Sequence, residues 1–180
     1  MKTIITLQNG KKLNKHQFID YFERKVLYTI RKYDLLKSLK DLRDERVVLP
    51  KVEKLLTLSK IKNVFISQEC MDDIAYSFLL IFMEKESDKS LNKKIKDLLP
   101  KYNYENKEII RPFYLIKKEE MLIYARIKGI KLKDKGQKNK NKKTDQMIKK
   151  IDIWISDLEK KHLEIKNAIV NSLLRIEKLN

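Results

Sequence analysis

Val64-Phe65-Ile66-Ser67-Gln68-Glu69-Cys70-Met71-Asp72-Asp73-Ile74-Ala75-Tyr76-Ser77-Phe78-Leu79-Leu80-Ile81-Phe82-Met83, residues 64–83, holds both kinds of element from which this chain is built. Val64-Phe65-Ile66 is a short apolar run of β-branched and aromatic residues, the composition of a buried strand. Asp72 or Asp73 is placed to cap a helix whose face is Ala75, Phe78, Leu79 and Phe82. A strand that feeds a helix is the unit of an α/β layer. Elsewhere the helical period recurs far more often than the strand period. The expected fold is therefore mainly α, with a truncated α/β remnant and a small N-terminal β-hairpin.

Working outward toward the N-terminus, Thr3 to Leu7 alternates and is followed by Asn9-Gly10, a hairpin signal, so a hairpin is expected over 3–13. Asn14-x-x-Gln17 has the form of a capping box, and Phe18, Phe22, Val26, Ile30 and Tyr33 recur at helical spacing over 15–36. Residues 37–50 are charged and irregular, and Pro50 suits the first turn of a helix carrying Val52, Leu55, Leu56 and Leu58. Toward the C-terminus, Ser90 is read as the cap of a helix with Leu91, Ile95 and Leu98, stopped by Pro100. Ile109-Ile110 is extended, because Arg111 precedes Pro112. Residues 117–128 form a helix closed by Gly129. Thr144 is read as the cap of a helix with Met147, Ile148, Ile151, Trp154, Ile155 and Leu158 on one stripe, followed by a second helix with Ile165, Ala168, Ile169, Leu173 and Ile176.

Small counts exclude whole classes of chemistry. The chain has 3 glycines (Gly10, Gly129, Gly136), too far apart for a G-x-G-x-x-G turn or a Walker loop. Its 1 cysteine, Cys70, leaves no cysteine zinc site, no cysteine-ligated iron–sulfur cluster and no internal disulfide. Its 2 histidines, His16 and His162, stand near opposite ends, so no metal and no cofactor are expected. Ala75 to Met83 is too short to cross a bilayer, which takes about 20 apolar residues, and the N-terminus is too weakly apolar for a signal peptide. The chain is expected to be cytoplasmic, with no membrane partner.

The net charge is +17, carried mostly by lysine, which favours diffuse attraction to polyanions over bidentate reading of bases. Lys/Glu/Ile enrichment also arises from a thermophilic or AT-rich origin, so the overall charge has two readings. The stretch 131–143 is more pointed: Lys131, Lys133, Lys135, Lys138, Lys140, Lys142 and Lys143 stand against Asp134 alone. Such a solvated loop grips phosphates without reading sequence. Four such lysines on phosphates would give a log K against log salt slope of about −3. Tyr102 and Tyr104, in a polar stretch near lysines, are the better base-stacking candidates; Trp154, Tyr21 and Tyr124 fall on apolar stripes and are read as core.

Asp72-Asp73 has two readings, a magnesium ligand pair beside phosphates or a helix start that favours acids. Cys70 is read as a small buried residue, the alternative being a thiolate activated at a helix N-terminus. No Ser-His-Asp or Cys-His set follows from spacing.

Three blocks together carry a family resemblance. HQFIDYFERKVLYTIRKYDLL (16–36) resembles the helix that follows the N-terminal zinc ribbon of the tRNA 2-thiolation ATP-pyrophosphatases, the two-thiouridine synthetases and cytoplasmic tRNA adenylyltransferases. MDDIAYSFLLIFM (71–83) followed by IIRPFYLIKKEEMLIYARIKGI (109–130) is similar to that family's N-L-D-D helix and its I-R-P … E … Y-A … K-G-I segment. IDIWISDLEKKHLEIKNAIVNSLLRIEKL (151–179) resembles its C-terminal tail. Departures are equally specific. Residues 37–63 stand where the family's S-G-G-K-D-S pyrophosphate loop belongs, and they contain no glycine. Leu13 and Asn14 stand near the expected zinc ligands, and Lys133 to Gly136 where a cluster cysteine belongs. Gln68, Glu69 and Cys70 replace the Gly, His and Asn ahead of the two aspartates, and Leu163-Glu164 replaces Pro-Gly.

The resemblance implies a PP-loop-like scaffold divided as 1–36 (hairpin and long helix), 37–130 (truncated ATP-pyrophosphatase-like core), 131–143 (lysine loop) and 144–180 (helical tail), with Asp72 and Asp73 as remnants of the nucleotide site. It implies a non-catalytic accessory of tRNA 2-thiolation, paired with an active homologue, with itself, or with tRNA. The alternative from a different class is a general RNA-binding module acting through the Lys131–Lys143 loop. A third is residual nucleotide binding through Asp72 and Asp73.

Overall fold

Asn14 starts the first long helix as its spacing predicts. In the computed structural model, which describes residues 3–7, 9–35, 51–61, 64–83, 88–132 and 142–179, the Asn14 side chain accepts from the Gln17 amide and Gln17 returns the bond to the Asn14 amide, both at 3.1 Å. Helix α1 runs Lys15–Lys32. It stops short of the expected residue 36 because Asp34 takes φ +50°, a left-handed conformation that short polar side chains tolerate. Ahead of it, β1 (Ile5–Thr6) pairs antiparallel with β2 (Lys12–Leu13), and Gly10 supplies the positive φ of the turn. The reading of 37–50, with Pro50, falls outside the described residues.

The α/β remnant is a four-stranded sheet. In addition to β3 (Lys60–Ile61) and β4 (Val64–Ile66) it contains β5 (Lys101–Tyr104) and β6 (Lys107–Ile110), in the order β3-β4-β6-β5. Only β4 and β6 are parallel, with Val64 opposite Glu108 and Ile66 opposite Ile110. The Val64–Ile66 strand and the extended Ile109-Ile110 are as expected. The β5–β6 hairpin is a feature the sequence reading passed over. Its turn residues are Glu105 and Asn106, both at positive φ (46° and 61°), which is the geometry of the tight hairpin turn. Glutamate is an unusual occupant of that geometry, so the turn carries no Asn-Gly or Asp-Gly signature.

The chain divides into two compact units, Met1–Cys70 with Pro100–Leu132, and Met71–Leu99 with Lys133–Asn180. In the first, α1, α2 (Val52–Thr57), the sheet and α5 (Lys118–Lys128) enclose an aromatic-rich core. Phe18, Phe22, Val26 and Ile30 of α1 are wholly buried, as their helical spacing requires. Phe22 stacks on Tyr124 of α5 with ring centroids 4.1 Å apart. Leu58, expected inside α2, instead ends it in an extended conformation. Gly129 closes α5 at φ +66°, where the left-handed cap was expected.

The second unit is helical: α3 (Met71–Met83), α4 (Asp88–Lys96), α6 (Lys142–Lys161) and α7 (Ile165–Leu179). Helix α3 packs mainly on α7, and also on α6 and α4. Several expectations are corrected here. Helix α3 begins at Met71, so Asp72 and Asp73 lie inside its first turn instead of capping it. Its buried residues are Met71, Ile74, Ala75, Phe78 and Ile81, and Phe82 is exposed; the apolar residues run around most of this helix, so the sequence left its inner side ambiguous. Ser90 lies within α4, which begins at Asp88. Thr144 lies within α6, which begins at Lys142. On α6, Ile151 and Ile155 are buried, whereas Trp154, expected in the core, is exposed.

Candidate functional site

Ser67 and Arg111 follow directly on the parallel strands β4 and β6, so both stand at the carboxyl ends of those strands, the edge at which open α/β sheets bind ligands. The Ser67 amide donates to the Ile110 carbonyl at 2.9 Å and prolongs the ladder by one residue. The Arg111 amide donates to the Pro100 carbonyl at 2.8 Å and fixes the turn into Pro112. Arg111 is only 2% exposed. Its Nε donates to Glu69 Oε2 at 2.6 Å, and Ser67 Oγ donates to the same oxygen at 2.8 Å. The guanidinium carbon lies 4.5 Å from the centroid of the Tyr102 ring. A buried guanidinium is tolerable only when paired, and here a carboxylate and an aromatic face supply the pairing. Gln68 donates its side-chain amide to the Leu56 carbonyl at 2.5 Å. This edge is thus filled by the protein's own polar groups. Tyr102, a stacking candidate in the sequence, gives one ring face to Arg111; Tyr104 is exposed.

Asp72 and Asp73 stand on the first turn of α3. Asp72 Oδ1 accepts from Lys166 Nζ of α7 at 2.7 Å, and the same ammonium lies 2.8 Å from Glu159 Oε1 of α6. Burial works against the charged form of Lys166, but the hydrogen bonds to Asp72 and Glu159 outweigh it, and its pKa is raised overall. Cys70 is fully buried, as the bland reading of it held. His16 lies in the first turn of α1, and His162 follows the last residue of α6.

Of the lysine series, Lys131 is described and exposed. Lys133, Lys135, Lys138 and Lys140 lie outside the described residues; Lys142 and Lys143 form the start of α6 and are helical, where a loop was expected.

Sequence reasoning passed over a second charged node. Glu120 of α5 is 4% exposed. Its carboxylate accepts from Lys25 Nζ at 2.7 Å, from the Tyr21 hydroxyl at 2.8 Å and from the Lys117 amide at 2.9 Å. Burial, and next the neighbouring Glu120 charge, raise the Tyr21 pKa well above the ordinary phenol value. Nothing in KKEEM marks the second glutamate as the buried one. At the same end of α1 and α5, Lys128 bonds Glu53 and lies 3.6 Å from Glu23. Its hydrogen bond holds the Glu53 carboxyl below the usual range. Among the described residues no group of three His, Cys, Asp or Glu side chains could hold a metal ion, and no helix is long and apolar enough to cross a membrane.

No family model matches this sequence, and no curated protein matches it at a significant level. Among solved structures, the chain is similar to the U34-tRNA thiolase NcsA from Methanococcus maripaludis, determined with its [4Fe-4S] cluster. The TM-score is 0.64 at 16% sequence identity, over 97% of this chain and 84% of that one. At that identity the likeness establishes the fold, and at the level of fold it agrees with the family resemblance read from the sequence.

Proposed function

We propose that this chain is a tRNA-binding accessory of 2-thiolation, built on a tRNA-thiolase fold and carrying no thiolation chemistry of its own. The fold likeness to a tRNA thiolase carries the reading, because the scaffold persists where the chemistry has no donors. Sulfur transfer needs an accessible thiolate or a cluster, and the chain has 1 cysteine, which is fully buried. Adenylation needs a loop that wraps a triphosphate, and residues 37–63 contain no glycine to form one. The strand edge that would face a ligand is occupied by Arg111, Glu69 and Ser67. Asp72, the remnant acid, is paired with Lys166.

In this reading the chain works in the cytoplasm, holding tRNA through its positive surface, alone, as a homodimer or beside an active homologue. Filter binding with an unmodified tRNA transcript should show salt-sensitive association, and the purified chain should neither consume ATP nor thiolate the transcript. Absence of tRNA binding, or thiolation by the chain alone, overturns the proposal. The second reading, a general RNA-binding module, rests on the lysine density of 131–143. Neutralising Lys138, Lys140, Lys142 and Lys143 separates the two: it abolishes RNA affinity in the second reading and spares pairing with a thiolase in the first.

A further inference from the structure

Trp154 is the chain's only tryptophan, and it is 58% exposed on α6. Tryptophan is among the most buried residue types on average, so this position calls for a cause. The side chain is not isolated. Ile153 is 60% exposed and Leu158, one turn further on, is 38% exposed, while Ile151 and Ile155 already supply the buried side of the same helix. The apolar surface of α6 is therefore wider than the part that is covered, and the excess is centred on Trp154.

The residues around that excess say what covers it. At helical spacing, Lys150 lies one turn before Trp154 and Lys161 two turns after it, both exposed. They are separated by about 16 Å along the helix. The acid within this stripe is Asp157, and Lys160 donates to it at 2.9 Å, which offsets its charge. A lysine–tryptophan–lysine row suits a ligand with a π-face flanked by negative charge. An unpaired nucleotide within a strand has this form: base on the indole, phosphates on the ammonium groups.

We infer that the Lys150–Trp154–Lys161 row of α6 is a single-stranded RNA contact, in which Trp154 stacks on an unpaired base. The inference deepens the proposed tRNA-binding function and rests on it. It also accounts for an indole that contributes little to its own unit's core. Lys150 and Lys161 neutralise phosphates on either side of the stacked base and add affinity without sequence preference.

Because Trp154 is the only indole, its fluorescence reports on this site without labelling. Titrating the full chain with oligouridylate, a blunt RNA duplex and an unmodified tRNA transcript should quench the emission with the first and third and leave it largely unchanged with the duplex. Trp154→Ala should weaken oligouridylate binding about 5- to 150-fold, the range of one stacked base, and Trp154→Phe should retain most of the affinity. Lys150→Gln with Lys161→Gln should reduce the log–log salt slope by roughly 1.4, two single-strand phosphate contacts. If tRNA binds but neither the emission nor the affinity depends on Trp154, the inference fails and the tRNA-binding function stands. If no RNA binds, both fail. If Trp154→Ala changes the sedimentation of the free chain and leaves RNA affinity alone, the face takes a protein partner and the inference is overturned.

Discussion

In the unit formed by Met1–Cys70 and Pro100–Leu132, Phe18, Phe22, Phe113, Tyr114 and Tyr124 are all fully buried, whereas in the unit formed by Met71–Leu99 and Lys133–Asn180, Phe82 and Trp154 lie on the surface. The treatment of charge differs in the same sense. The first unit takes Arg111 and Glu120 inside and surrounds each with partners. The second keeps Asp72, Lys166 and Glu159 nearer the rim, where water shares the work. A buried ion costs desolvation that only a fixed arrangement of partners offsets, so such ions fix a register more than they add stability. The first unit has the character of a scaffold. The second holds apolar and basic surface beyond what its own packing uses, the character of a surface that meets something else.

Substitutions can break this contrast. Phe22→Ala removes a ring wholly enclosed by the first unit and stacked on Tyr124, and should cost about 3–5 kcal/mol in chemical denaturation. Glu120→Ala, which leaves Lys25, the Tyr21 hydroxyl and the Lys117 amide without their shared acceptor, should cost about 2–3 kcal/mol, because Lys25 keeps some access to water. Glu120→Gln should cost less, since an amide oxygen still accepts from two of those donors. Gly129→Ala meets no neighbour within 4 Å, so its cost is the left-handed backbone alone, about 1 kcal/mol. Trp154→Ala should change stability by no more than about 0.5 kcal/mol, as for other exposed positions. A cost for Trp154→Ala approaching that of Phe22→Ala would abolish the distinction between scaffold and surface.

Alkaline titration sharpens the comparison from both sides. Burial, and secondarily the nearby Tyr28, push the Tyr33 phenol up to about 12. Burial, and then Asp152, do the same for Tyr76 of the second unit, also to about 12. A raised phenol pKa means that the folded state favours the neutral form. The associated stability is complete below the unfolded value of about 10 and is lost as pH rises through about 12. Ultraviolet difference spectra should show both tyrosines ionising late, and Tyr33→Phe and Tyr76→Phe should each flatten the fall in stability across that window. A fall that is unchanged in both variants would remove this assignment.

Much of the fold was legible. The Asn14–Gln17 capping box, the α1 stripe, the Asn9-Gly10 hairpin, the Val64–Ile66 strand and the Gly129 cap each rest on interactions between residues close in sequence, where local pattern is informative. The failures are also physical. The β5–β6 hairpin turns on Glu105 and Asn106, and a glutamate at positive φ is held there by the strands on either side, not by its own preference. Trp154 shares a helical stripe with Ile151 and Ile155, and no periodicity says how much of a wide stripe a neighbour will cover. Arg111 was read only as the residue before a proline, because its partners Glu69 and Tyr102 are distant in sequence.

The sequence by itself determined the mainly helical class, the position of the strand–helix junction at 64–83, the likeness to a thiolase scaffold and the scarcity of thiols and glycines, because composition and local period are properties of the chain before it folds. Only the tertiary structure decided that Glu120 and Arg111 are the buried charges, that Asp72 answers to Lys166, and that the lone tryptophan faces outward. Burial depends on which surfaces remain after helices and strands have met. That is a property of pairs of elements, and a single stretch of residues cannot encode it.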